Sequence, residues 1–204
     1  MSPTRLLVLG VVRMYGKAHG YQVRRELLNW SADRWANVAP GSIYHALKKM
    51  AAEGLLESVP DEPEGRGPDR TAYRVTDEGE TEFQVRLAQM IAETDGDGAQ
   101  DAFSFAAALT FLTSLSRDRA LSLLRHRLTW LEGQLATTRS VLDCGVDRGH
   151  PEHVGELYRL WGTTVEATIE WLRGLIKRLR DGEYVMADDP GHDFGTPPRS
   201  SNQF

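Results

Sequence analysis

The chain has 204 residues, 41% of them apolar and 26% charged, and a net charge of −5. This composition excludes a disordered polyelectrolyte and a polyanion binder acting through bulk charge, and no run approaches the roughly 18 apolar residues of a membrane span. The charge is uneven, with net +3 over residues 1–75 and net −8 over residues 76–204, as expected if a nucleic-acid face sits at the front of the molecule.

A lone Cys144 excludes an intrachain disulfide. The short apolar stretch after Met1 is followed by no small-residue cleavage site, and the chain reads as cytoplasmic. Ser2-Pro3 opens the first helix, with proline at its first position, and Leu6, Leu7, Leu9, Val11 and Met14 form its apolar face. Residues 16–20 read as a turn. A second helix, Tyr21 to Trp30, points Val23, Leu27 and Leu28 inward. The link to Val38 reads as partly helical, with Trp35 filling the corner.

The next helix organises the front half. Pro40, Gly41 and Ser42 form its entry, with Ser42 as the expected cap, and Gly54 follows its last turn, where a left-handed residue is wanted. Ile43, Leu47 and Met50 make one apolar face. Gly41, Tyr44, His45, Lys48, Lys49 and Ala52 lie opposite, with groups suited to phosphates or base edges. Beyond Gly54 the period falls from 3.6 to 2, giving a strand over residues 55–60 and a second over Thr71 to Val75. The turn-rich loop Asp61 to Arg70 joins them into a hairpin and carries Arg66 and Arg70 among four acidic residues. Asp77 and Glu78 suit the start of a further helix, which runs to about Thr94 with Phe83, Leu87 and Ile91 inward. Three helices, a hairpin and a trailing helix make a winged helix-turn-helix. In that arrangement the third helix enters the major groove and the wing lies on the backbone or minor groove.

Residues 95–101, DGDGAQD, read as an acidic linker. They lack the alternating ligands and closing Glu of a calcium loop. The back half is helical. Residues 102–115 are apolar on most sides. Ser116 is the expected cap of a long helix with Leu121, Leu124, Leu128, Leu131, Leu135, Thr138 and Leu142 at heptad spacing. After a break at residues 145–151, a second long helix repeats the pattern with Tyr158, Trp161, Val165, Thr168, Leu172, Leu175 and Leu179. The two form an antiparallel pair. Val154, Leu157, Ile169 and Ile176 widen the second helix's apolar surface, and a second subunit is expected to cover it, giving a symmetric dimer. Packing on residues 102–115 of the same chain is the competing arrangement. Trp130, Trp161 and Trp171 read as core or dimer packing, or as an aromatic slot for a flat apolar effector.

The domains are therefore expected at 1–94 (winged helix with trailing helix), 102–181 (helical dimerisation and effector domain) and 182–204, a Gly-, Pro-, Asp- and Ser-rich disordered tail. No Walker loop, GxSxG elbow or HExxH motif occurs. Cys144, His150 and His153 sketch only three metal ligands at a helix break. The reading is a non-enzyme without cofactor or metal.

His19-Gly20-Tyr21, then Gly41-Ser42-Ile43-Tyr44 with Leu47, then Glu53-Gly54-Leu55, then Tyr73 with Thr76 and Gly79, together resemble PadR-type transcriptional regulators over about residues 4–80. The back half resembles the longer members, whose C-terminal domain is of the virulence-activator type. The resemblance implies a homodimeric regulator, usually a repressor, that often responds to phenolic or drug-like molecules. Carried over by position, it implies that Tyr44 and Lys48 contact DNA and that Arg66 and Arg70 hold phosphates. Ser42, His45 and Lys49 complete the expected DNA face. His45 stands where family members commonly have proline after the tyrosine, a departure that bears on base preference. The expected partner is an inverted-repeat operator in double-stranded DNA. The alternative is a winged helix that docks a protein and does not bind specific DNA.

Overall fold

A computed structural model describes residues 3–36, 38–60, 71–94, 98–144 and 151–193. The first helix, α1 (Pro3–Tyr15), is buried on every side from Leu6 to Val12. It is the axle of the front half rather than a one-faced surface helix, so Val8 and Val12 join the predicted face and Met14 lies only half-buried. Its neighbours are α2 (Gly20–Asn29), α4 (Pro40–Ala52), α5 (Asp77–Ala92) and α6 (Gly98–Thr110). A single helical turn, α3 (Ala32–Trp35), bridges α2 and α4. Trp35 fixes that corner by donating its indole N–H to the Trp30 carbonyl at 2.7 Å.

The wing has one more strand than the sequence indicates. β2 (Leu56–Pro60) and β3 (Thr71–Val75) pair antiparallel, with Leu56 opposite Val75 and Ser58 opposite Tyr73. A two-residue strand, β1 (Ala18–His19), pairs with the other edge of β3, so the sheet order is β1-β3-β2. Two residues are too few to show a period, and residues 16–20 read as a turn for that reason. With β1 alongside, adjacent Ala72 and Tyr73 are both buried. The wing tip, with Arg66 and Arg70, lies outside the described residues.

One aromatic side chain joins the two halves. Phe111, just past α6, is fully buried. It meets Phe83 of α5 edge-on at 5.4 Å and Trp30 at 6.0 Å. Its ring fills the space where Gly10 of α1 has no side chain; a Cβ there would lie 2.1 Å from Cζ of the ring. The apolar core thereby runs unbroken from the winged helix into α6 and α7 (Arg117–Cys144).

α7 and α8 (Gly155–Arg180) form the long antiparallel pair. Arg139 meets Glu166 and Arg173 meets Glu132, both at 2.7 Å, so positions rising along α7 face positions falling along α8. Ser116 is placed as its predicted cap role requires, accepting from the Arg119 N–H at 3.4 Å. Ile169 and Ile176, expected to await a second subunit, are buried within the chain itself. Leu157 stays exposed, with Leu160 and Trp161. α6 begins about a turn earlier than the sequence suggests, which puts Asp101 in its first turn, where a carboxylate is favoured.

The tail differs most from expectation. Of the tail expected to be disordered over 182–204, residues 182–193 are folded back, and residues 194–204 lie outside the described residues. Gly182, at φ +79°, ends α8, with the Gly182 N–H on the Leu179 carbonyl and the Glu183 N–H on the Arg178 carbonyl. Met186 is completely buried, and the Ala187 N–H donates to the Leu115 carbonyl at 3.1 Å. Asp188 accepts from the free Arg117 N–H at the start of α7, at 2.9 Å. The Arg117 guanidinium holds the Leu179 carbonyl, the Tyr184 carbonyl and the Asp189 carboxylate. A composition rich in small and acidic residues hides one apolar anchor, one helix-capping carboxylate (Asp188) and one carboxylate that pairs with Arg117 (Asp189).

Candidate nucleic-acid interface and an aromatic cleft

α4 starts one turn before the predicted cap. Ala39 is the N-cap and Pro40 the first helical residue, the position where a missing N–H costs nothing. Ser42 sits inside the first turn, its hydroxyl donating to the Ala39 carbonyl at 2.6 Å. The other end is as the sequence predicts. Gly54 has φ +78°, and the Gly54 and Leu55 N–H groups donate to the Ala51 and Met50 carbonyls at 3.2 and 2.9 Å, the two bonds of a Schellman close. Thr76 then ties this end to α5. Its hydroxyl donates to the Gly54 carbonyl at 2.7 Å and accepts from the Gly79 N–H at 3.0 Å. Gly79 is required by this approach, because a Cβ there would stand 2.0 Å from the Leu55 carbonyl oxygen.

These contacts fix which face of α4 looks outward. Ile43, Ala46, Leu47 and Met50 are buried. Gly41, His45, Lys48 and Lys49 are exposed, and Ser42 and Tyr44 are half-buried. The Tyr44 ring lies on Gly20 at the start of α2, where a Cβ would come within 2.7 Å of it. Tyr44 therefore has a structural task at the α2–α4 crossing, and its remaining surface borders the basic face.

Lys48 and Lys49 have no ion-pair partner among the described residues, whereas Arg74, Arg139, Arg159, Arg173 and Lys177 each hold a carboxylate. Glu53, one turn beyond Lys49, would be its natural partner. Arg5 of α1 has taken it, at 2.5 Å, and also reaches Glu82 at 3.8 Å. The hydrogen bond from Arg5 holds the Glu53 carboxyl below its ordinary value, with Lys49 a lesser contributor. An internal clamp thus leaves the lysine charge facing solvent.

α2 and α3 carry further exposed groups that the sequence pattern does not mark. Tyr21, at the start of α2, stacks on His19 with centroids 5.5 Å apart and remains half exposed. Arg24 and Arg25 of α2 and Arg34 of α3 are exposed cations. The His-Gly-Tyr tripeptide was the available signal for Tyr21.

The three tryptophans separate. Trp130 of α7 and Trp171 of α8 line one cleft of about 750 Å³, with Phe105 and Leu109 of α6 and Arg127 of α7. Phe105 meets Trp171 edge-on at 6.0 Å. Trp161 does not line this cleft; it is half exposed and meets Tyr158 at 5.4 Å. Of the sketched metal ligands, His150 and the Cys144 side chain lie outside the described residues, and His153 is exposed. No cluster of three or more His, Cys, Asp or Glu side chains suited to a metal occurs among the described residues. The acidic linker 95–97 also lies outside them. Among the described residues no helix is long and apolar enough to cross a membrane.

Comparison with known proteins gives three kinds of result. Residues 8–85 match the Transcriptional regulator PadR-like family. No curated relative matches the chain. Among solved structures, it is similar to Bacillus subtilis PadR in complex with operator DNA, at 22% identity and TM-score 0.37, covering 86% of this chain and 98% of that one. It is also similar to Bacillus subtilis PadR in complex with p-coumaric acid, at 20% identity and TM-score 0.35, covering 88% and 98%. A third is smu.1604c from Streptococcus mutans UA159, at 19% identity and TM-score 0.36, covering 88% and 97%. At such identities and TM-scores these likenesses carry none of the functional argument. The family match runs from within α1 to within α5 and takes in all of α2 to β3, so the part of this chain that is similar to the PadR-like family is its winged helix.

Proposed function

We propose that this chain is a DNA-binding transcriptional regulator that acts as a homodimeric repressor on an inverted-repeat operator, with α4 in the major groove. The observation that carries this reading is the outward face of α4, where Lys48 and Lys49 are exposed and have no ion-pair partner among the described residues, Arg5 having taken Glu53, the acid one turn beyond Lys49. Ser42, Tyr44, His45, Lys48 and Lys49 form the groove-facing set, and Arg66 and Arg70 of the wing tip reach the flanking phosphates. The first turn of α4 holds no acidic side chain, so its positive end also favours a phosphate.

The dimer rests on the free apolar ridge of α8. Leu157, Leu160 and Trp161 are each about half exposed or more, with Leu160 at 63%, and one-turn spacing puts them on a single stripe that a second copy buries. Two heads then meet half-sites about one helical turn apart or a multiple of it. The aromatic cleft is the effector site in this account: a ligand that favours one head spacing shifts the population toward it.

Nuclease footprinting on the DNA upstream of the chain's own gene tests this reading. The expected result is protection of two symmetric half-sites, lost when Lys48 and Lys49 are both changed to alanine. An unprotected region, or protection that survives the double change, removes α4 from the groove.

A further inference from the structure

The aromatic cleft holds one cation, and that cation is already engaged. Arg127 is 2% exposed in the middle of α7. One terminal nitrogen donates to the Glu93 and Ile91 carbonyls at the end of α5, at 3.0 and 3.4 Å, and the other to the Asp101 carboxylate. The guanidinium lies 4.0 Å from the centre of the Phe105 ring. Two lining residues carry a buried polar atom without a hydrogen-bond partner among the described residues: Arg127, at Nε, and Thr94, at its hydroxyl. The hydroxyls of Thr163, Thr164 and Thr168, also on the lining, donate to carbonyls of their own helix. Among the described residues, Asp101 and Arg127 are the only charged side chains on the lining.

We propose that this cleft binds a planar, uncharged aromatic molecule carrying one or two oxygen acceptors, and discriminates against aromatic acids. The proposal rests on the effector reading given above and adds the chemical class. Phe105, Trp130 and Trp171 supply flat apolar walls, and the volume suits a small molecule. A carbonyl or phenolic oxygen takes the free Nε–H and the Thr94 hydroxyl. A carboxylate would share a single cation with Asp101, and burying a second negative charge there costs more than the Nε hydrogen bond returns. The same geometry ties occupancy to the head, because Arg127 holds the last carbonyls of α5, the helix that trails the wing.

The test is calorimetric titration of the full chain with a matched pair, 2-naphthamide and 2-naphthoic acid, near neutral pH. The two share ring and shape and differ in charge. The expected result is an amide at least about tenfold tighter than the acid, with the gap narrowed in Asp101→Asn, which removes the competing charge. Phe105→Leu, checked for retained helicity, weakens the amide. Equal or tighter binding of the acid overturns the proposal. So does binding of neither compound at about 1 mM, and so does a cleft that opens to the amide only on dilution, which would show a second copy of the chain filling it. Mobility shift without ligand is run alongside. A protein that binds operator but neither naphthyl compound loses the ligand assignment and keeps the DNA-binding reading.

Discussion

Exchanging Gly10 for alanine probes the joint between the winged helix and the helical half. In the middle of a helix this exchange ordinarily stabilises by about 1 kcal/mol, because glycine has more backbone freedom to lose. Here the new Cβ would stand 2.1 Å from Cζ, 2.3 Å from Cε1 and 2.7 Å from Cε2 of Phe111, where carbon contacts settle near 3.5–4.0 Å. The ring has no free direction in which to retreat. It is fully buried, with Phe83 edge-on at 5.4 Å and Trp30 at 6.0 Å. Overpacking of a close-packed core costs about 1–3 kcal/mol, occasionally more. A displacement of more than an ångström belongs at the upper end of that range. After subtracting the helix gain, the net loss is about 2 kcal/mol. For a domain of this size that lowers Tm by about 4–8 °C. Thermal unfolding followed by circular dichroism is the assay, at one protein concentration, because association moves Tm. Phe111→Leu in the same chain recovers part of the loss, as expected for two residues in contact. A Gly10→Ala protein as stable as its parent, or more so, would refute the packing.

Three further outcomes follow from named contacts. Arg5→Met frees Glu53 to neutralise Lys49, so operator affinity falls about two- to tenfold, and Glu53→Gln in the same chain restores it; an unchanged affinity in Arg5→Met would show that the clamp does not set the charge of α4. Leu160→Asp breaks the dimer while leaving helicity intact, read as halved mass in sedimentation; an unaltered dimer would remove the α8 ridge from the interface. The fold-back of residues 182–193 loosens in acid. The Met186 N–H, followed by Arg117, holds the Asp189 carboxyl below the ordinary aspartate value, so its contribution is complete above that ordinary value and is lost as pH falls through the lower folded one. Proteolysis after Arg180 should rise below about pH 4, and Asp189→Asn should show the raised cleavage already at neutral pH; equal protection of both proteins at neutral pH would contradict the fold-back.

The front half was legible because its signals are local. Pro40 and Gly54 bracket α4, and the switch from period 3.6 to period 2 marks the wing. Ser42 misled because a proline at the first helical position moves the cap back to Ala39. β1 escaped because two residues show no period. The long-range contacts left no trace in the chain. Gly10 looks like an ordinary helix glycine until Phe111, 101 residues later, occupies the space beside it. Nothing in the heptad pattern marks Arg127, whose burial depends on Asp101 and on carbonyls at the end of α5. The helical pattern places Trp130, Trp161 and Trp171 on the long helices. It could not say that Trp130 and Trp171 share a cleft with α6 while Trp161 stays outside. Of the apolar surface the sequence predicts for α8, Ile169 and Ile176 are consumed within the chain, whereas Leu157 stays exposed beside Leu160 and Trp161.

The central claim is that the lysine face of α4 grips a specific duplex. A mobility-shift titration against the DNA upstream of the chain's own gene, at about 50 and 200 mM salt, tests it most directly. A dimer holding roughly 6–10 phosphates loses about three to five decades of affinity between those conditions, and Lys48→Ala flattens the slope by about one unit for each contact removed. Binding that is weak, equal on any DNA and indifferent to Lys48→Ala would contradict the claim and leave the winged helix as a surface for a protein partner.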